Sequence, residues 1–262
     1  MSNYETILYS VREGVAEIRF NRPHRLNAVV ELFYDDCLNA LRSAEADEAV
    51  KAIVLTGEGR AFCVGADLKE HGRGNRSAWE RRAYLLRGNE VCRAIYRNRK
   101  PVVAAVNGYA LGAGAEMAIS ADFIVMRDDA QLGLPEVGIG THVGGAVTAI
   151  LPRLVGLLKA RELIFLGHRI NGIEAKRIGL AHDSAPQSSF DAAVRTLTAT
   201  LAEKAPISFA FAKDHLNVGH GRDYETLLST EIEACYACTF TEDWQEGIAA
   251  FAEKRKPIFK GR

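Results

Sequence analysis

The sequence predicts an α/β fold, and three observations carry that expectation. Strand-like apolar runs alternate with helical patterns in the order ββα, then βα, then ββα. An alternating apolar and polar pair opens the chain, and the later runs are short blocks of the kind buried on both faces. From Ser188 onward the periodicity is almost entirely helical.

Taken in order, Ile7–Val11 and Val15–Phe20 read as a hairpin joined at Glu13-Gly14, with Ala16, Ile18 and Phe20 on one face. Asn21-Arg22-Pro23 ends it, and Leu32, Phe33, Leu38 and Leu41 recur at helical spacing. Val50–Leu55 is a buried-type strand closed by Thr56-Gly57-Glu58-Gly59. The short segment 61–68 precedes a polar, glycine-containing loop at 71–77. An arginine-rich helical pattern over Trp79–Arg99 then leads into a strand at Val102–Val106. That strand breaks at Asn107-Gly108, and Leu111-Gly112-Ala113-Gly114 opens a helix with Glu116 in its first turn. A strand at Phe123–Met126 is followed by Leu134-Pro135-Glu136. Helices are expected near 189–204, 207–218, 223–238 and 243–255. Ala185-Pro186 separates a strand-containing core, 1–185, from a helical region, 186–262, within one structural unit.

Composition sets bounds on function. Hydrophobic residues make up 48% and charged residues 25%, ordinary for a chain with a substantial core. Basic and acidic residues number 33 each, so no global field recruits nucleic acid or membrane. No apolar run approaches the length of a spanning helix, and MSNYETILYS lacks the pattern of a signal peptide, so a cytoplasmic address is expected. Five scattered cysteines argue against a disulfide framework, and Cys235-x-x-Cys238 lies late in a helical pattern without a second pair for zinc. The arginines at 81, 82, 87, 93, 97 and 99 form a local basic stretch, read as a solvated helix face, with RNA binding as the non-enzymatic alternative.

Several chemistries drop out for want of their motif. The glycine loop lacks the third glycine of a dinucleotide site, and there is no P-loop, no G-x-S-x-G and no H-E-x-x-H. What remains is a glycine loop opening a helix, which leaves N–H groups without helical partners beside Glu116. Glu116 sits among Ala, Gly, Met and Ile, and Glu136 lies between Leu134-Pro135 and Val137-Gly138-Ile139-Gly140. Each could be a helix-end carboxylate and no more. Two carboxylates in apolar settings would also shift and couple their titrations, the condition for one to act as acid and one as base.

Five blocks, in order along nearly the whole chain, resemble the crotonase (enoyl-CoA hydratase/isomerase) superfamily. They are Asn21-Arg22-Pro23 with Leu26-Asn27-Ala28, the stretch from Ala61-Phe62-Cys63 to Asp67-Leu68, Lys100-Pro101 through Glu116, Leu134-Pro135-Glu136 with Gly138-Ile139-Gly140-Thr141, and Ala250-Phe251-Ala252-Glu253-Lys254-Arg255. The resemblance implies a spiral of ββα units with a C-terminal helical trimerisation region, assembled as a homotrimer or homohexamer. It implies acyl-CoA substrates whose thioester oxygen is held by the backbone N–H groups of Ala66 and Ala113, the latter where the family often has glycine. Glu116 and Glu136 fall on the two glutamates of the hydratase branch, which implies reversible addition of water to a trans-2-enoyl-CoA. Double-bond isomerisation and ring-opening or thioester hydrolysis are the alternatives within the family. No metal or further cofactor is implied, coenzyme A being part of the substrate.

Residues implied to contact the acyl-CoA are Arg25, Asn27, Ala28, Val64, Asp67, Leu68, Lys69, Gly112, Leu134, Gly140 and His142, with Lys254, Arg255 and Lys256 as candidate phosphate partners from a neighbouring subunit. The chain departs from the hydratase pattern at Thr141-His142-Val143-Gly144-Gly145, where an Ile-Pro-Gly-rich turn is usual. His142 there is a surface residue, a determinant of acyl specificity or a further proton-transfer group.

Overall fold

A computed structural model of the chain describes residues 4–71 and 76–262. The hairpin forms as expected: β1 (Ile7–Arg12) and β2 (Val15–Phe20) pair antiparallel. The chain then makes repeated circuits, each placing one strand in a large sheet and the next in a small one. The first circuit gives β3 (Ala52–Gly57) and β4 (Ala61–Cys63), the second β5 (Val102–Val106) and β6 (Tyr109–Leu111), the third β7 (Phe123–Arg127) and β8 (Gln131–Gly133). A last strand, β9 (Asp183–Ala185), completes a six-stranded sheet in the order β1-β2-β3-β5-β7-β9, parallel from β2 onward. The small sheet is β4-β6-β8, all parallel.

Helices link and cover the circuits. α1 (Glu31–Ala46) follows the hairpin, α2 (Leu68–His71) and α3 (Ala78–Tyr96) follow β4, and the short α4 (Ala113–Ile119) follows β6. α3 begins at a capping box between Ser77 and Glu80, which satisfies two N-terminal donors reciprocally. The loop expected at 71–77 lies mostly outside the described residues. After β8 come α5 (Val147–Val155), α6 (Leu157–Phe165) and α7 (Gly172–Arg177), none of which the sequence reading had placed. α8 (Gln187–Ala202), α9 (Pro206–Val218), α10 (Tyr224–Cys238) and α11 (Glu242–Glu253) match the four helical blocks to within two residues at most ends.

Alternation along the strands divides the interior into two layers. Ile53, Leu55, Val102, Ala104, Val106, Ile124 and Met126 face the main core with Phe20, Phe33 and Phe62. The intervening Val54, Val103, Ala105 and Val125 face the other way, onto Phe190, Val194 and Leu201 of α8. Strands buried on both faces have no polar side to show, which is why these blocks read as continuous apolar runs. α8 thus belongs to the core's packing although it lies beyond Pro186.

The third buried strand runs two residues later than expected, because Lys51 N–H turns back to Gly14 O at 2.6 Å before the parallel ladder begins. The small sheet was not foreseen: its strands have three residues each, too few for periodicity to register. It is nevertheless what positions α4. A Cβ at Gly114 would lie 2.0 Å from Cys63 O, so only glycine lets the helix sit directly on β4.

Candidate active site

The two segments that carry the candidate backbone donors lie against each other. Ala66 forms a parallel bridge with Val29, in which Val29 N–H donates to Gly65 O at 2.8 Å and Asp67 N–H donates to Val29 O at 3.0 Å. That pairing turns the intervening Ala66 N–H away from Val29. Ala113 is the first residue of α4, so its N–H has no intrahelical acceptor. The two segments run side by side: a Cβ on Gly65, whose φ is +84°, would meet Leu111 O at 2.9 Å and Ala113 N at 3.3 Å. A side chain there would force apart the two loops that carry the donors.

Both glutamates border the same place. Glu116 sits one turn into α4, with its Oε1 accepting from Gly144 N–H at 2.6 Å. Glu136 follows the Leu134-Pro135 corner after β8 and is 6% exposed. A Cβ at Gly112, the residue before Ala113, would lie 3.0 Å from Glu136 Oε1. Its Oε2 is buried with no hydrogen-bond partner among the described residues. Burial raises the Glu116 carboxyl to about 7; the Gly144 N–H lowers it, the Glu136 charge raises it, and His142 lowers it. Burial likewise raises Glu136, with His142 again opposing. A half-buried carboxyl raised to about 7 beside a buried one can pass protons in either direction, next to donors suited to a developing oxyanion.

Comparisons with known proteins bear on the chain as a whole. The model of the family described as enoyl-CoA hydratase/isomerase matches residues 10–262. The chain belongs to this family. It is 36% identical to a crotonyl-CoA hydratase of Syntrophomonas wolfei over 257 residues, covering 98% of each chain. It is 38% identical to a short-chain-enoyl-CoA hydratase of Clostridium acetobutylicum over 247 residues, covering 94% of each. A crystal structure of an enoyl-CoA hydratase from Bacillus anthracis superposes with a TM-score of 0.93 at 32% identity, covering 98% of this chain and all of that one.

The remaining residues implied by the family pattern divide into two groups. Asn27 is fully buried, and its carboxamide is committed: Oδ1 accepts from Arg22 N–H at 2.8 Å, and Nδ2 donates to Glu58 O and Ala61 O at 3.0 and 2.8 Å. Its side chain therefore ties loops together. Ala28 is buried with its carbonyl accepting from Arg22, and Leu134 is fully buried behind the site. Arg25 is no lone cation, for its Nε lies 4.0 Å from Asp67 Oδ2, which Arg22 approaches at 3.5 Å. That cluster braces the turn carrying Ala66. Val64 and Gly112 sit beside the donors, whereas Leu68, Lys69, Gly140 and His142 lie exposed around them. Of the C-terminal cations, Arg255 is paired with Glu246 and Glu253, and Lys256 with Glu203.

Gly144 was not singled out from the sequence as the residue that holds Glu116. Its only signal was the Gly144-Gly145 pair just after the departure from the family's turn. Half of the basic stretch is paired, with Arg87, Arg93 and Arg97 on Asp35, Glu90 and Asp214. Cys235 and Cys238 are free thiols on α10. Among the described residues no helix is long and apolar enough to cross a membrane.

Proposed function

We propose that this chain is an enoyl-CoA hydratase that adds water reversibly across the double bond of a trans-2-enoyl-CoA. The observation that carries the reading is the meeting of a half-buried carboxyl, Glu116, and a buried one, Glu136, with the Ala66 N–H that turns away from Val29 and the Ala113 N–H at the first position of α4. The N–H groups of Ala66 and Ala113 take the thioester oxygen, which makes the β-carbon electrophilic and stabilises the enolate. Such a donor is typically worth about 2.7–4 kcal/mol. Glu116 and Glu136 hold one water between them. The ionised carboxyl accepts its proton as oxygen attacks the β-carbon, and the other delivers a proton to the α-carbon. Glu136 serves the α-carbon and Glu116 the water, although the pair titrates jointly.

The scheme requires no metal or redox group, because polarisation comes from the backbone and both proton transfers from carboxyls. Lys69 is the exposed cation next to the Ala66 turn, and we assign it to the CoA phosphates. The five free thiols suit a reducing compartment, and a cytoplasmic address is part of the proposal.

Assembly is the last element. Ile232, Tyr236, Phe240 and Phe251 on and after α10 are 62 to 88% exposed, a large apolar surface for one protomer. A trimer, or two stacked trimers, would cover it; a monomer by light scattering at micromolar concentration contradicts this. The activity itself is tested with a panel of enoyl-CoA thioesters. Hydration removes the conjugated absorbance and yields a product heavier by one water, whereas an isomerase leaves the mass unchanged and a thioesterase releases free thiol.

A further inference from the structure

Glu116 is held by a turn that lies outside its own helix, and that turn has its own anchor. Gly144 N–H donates to Glu116 Oε1 at 2.6 Å, and the next N–H, that of Gly145, donates to Asn89 Oδ1 on α3 at 3.0 Å. A Cβ at Gly144 would lie 3.0 Å from Glu116 Oε2 and 3.2 Å from Asn89 Oδ1, so carboxylate and carboxamide flank a single α-carbon. Gly145 takes φ +59°, and a Cβ there would meet Cys92 Sγ at 2.9 Å. At its other end the segment is tied by Thr141 N–H to Glu136 O at 2.9 Å. Residues 141–145 are thus strung between the two glutamates. Apart from Glu116 itself, Asn89 is the one side chain among the described residues that accepts from their N–H groups.

Resting on the hydratase reading above, we propose that Asn89 is a positioning residue for the reaction: its carboxamide oxygen fixes the Gly144-Gly145 turn and so keeps the Gly144 N–H on Glu116. Gly145 is buried, and a buried N–H needs an acceptor. Asn89 itself is exposed on its helix, where asparagine is a middling helix former, so neither packing nor propensity calls for it. Leu85, one turn earlier on the same helix face, is apolar and exposed. The polar residue stands where the turn needs an anchor.

The consequence is electrostatic. An N–H donated to a carboxylate favours its charged form, so a turn set loose would raise Glu116 further above about 7. The titratable groups facing Glu116 are Glu136, His142, Cys92 of α3, Cys63 of β4 and Tyr34 of α1. Burial raises both thiols to about 12 and the Tyr34 phenol well above its ordinary value, so these three stay neutral. Glu136 and His142 are left as the neighbours whose charge bears on Glu116.

The test compares Asn89→Leu, which removes the acceptor without adding charge, with Asn89→Gln, which keeps a neutral carboxamide acceptor. Carbon NMR of the glutamate carboxyls follows Glu116 in the unliganded protein, its signal assigned through Glu116→Gln. Asn89→Leu should raise the Glu116 midpoint by about half a pH unit or more and lower kcat about tenfold, with KM within about twofold. Asn89→Gln should recover most of that kcat. Asn89→Ala, which adds no bulk, takes the place of the leucine variant if that chain does not fold. A folded variant that loses only thermal stability, with the Glu116 midpoint and kcat unmoved, overturns the proposal. If the wild-type enzyme hydrates no enoyl-CoA, the hydratase reading fails on its own. The NMR midpoint still decides whether Asn89 governs Glu116.

Discussion

Replacing Glu116 by glutamine should make the protein more stable at neutral and alkaline pH, and the structure sets the size of the effect. The Glu116 carboxyl is raised from an ordinary 4.5 to about 7. A carboxyl raised on folding holds its proton more tightly in the folded state. The stability it contributes is fully present below about 4.5 and is lost as pH rises through about 7. At about 1.36 kcal/mol per pH unit, ionising Glu116 in place costs roughly 3 kcal/mol by pH 8. Glutamine has the same shape, and its carbonyl still accepts the Gly144 N–H, but it carries no charge. Glu116→Gln should therefore gain about 3 kcal/mol over the wild type near pH 8 and less than about 1 kcal/mol near pH 5. Urea denaturation at both pH values and one fixed protomer concentration measures the difference. An offset equal at the two pH values, or a variant destabilised at pH 8, would refute the buried-carboxyl argument.

Glu116→Gln and Glu136→Gln should each lower kcat by about 10²–10⁴-fold, since a general acid or base is typically worth that much. The double variant should cost far less than the product of the two, because groups acting on one water act as a unit; single-turnover kinetics separates this from a binding defect. Ala113→Pro deletes one oxyanion donor at a first helical position, which proline tolerates. It should lose about 10²–10³ in kcat with an unchanged far-ultraviolet spectrum. Lys213→Met should destabilise by about 3–5 kcal/mol, because it leaves a buried carboxylate without its cation. Lys213 Nζ lies 2.6 Å from Asp122 Oδ2 and ties α9 to the core; an unchanged urea midpoint would contradict that role.

How legible the molecule is in its sequence depends on the range of the interaction. The large sheet could be read because its strands are apolar on both faces, and the C-terminal helices because each spans several turns. The small sheet escaped, since pairs such as Ala110 with Leu132 depend on circuits of the chain that no local pattern reveals. Apolar flanks, a local property, marked Glu116 and Glu136 as candidates, and the family resemblance singled them out as a pair. Asn27 lies in a motif block near the site, and the sequence gives no sign that its carboxamide is taken up by Arg22, Glu58 and Ala61. Asn89 and Gly144 were invisible for the opposite reason, as their meeting joins residues 56 apart in sequence at Gly145 and 28 apart at Glu116.

The most direct test of the central claim is to incubate the protein with trans-2-enoyl-CoA thioesters of graded length in ¹⁸O-labelled water and weigh the products. The account predicts a 3-hydroxyacyl-CoA carrying one labelled oxygen, formed as the conjugated absorbance falls and abolished in Glu116→Gln,Glu136→Gln. Unlabelled products of unchanged mass, free coenzyme A, or full hydration by that double variant would contradict it.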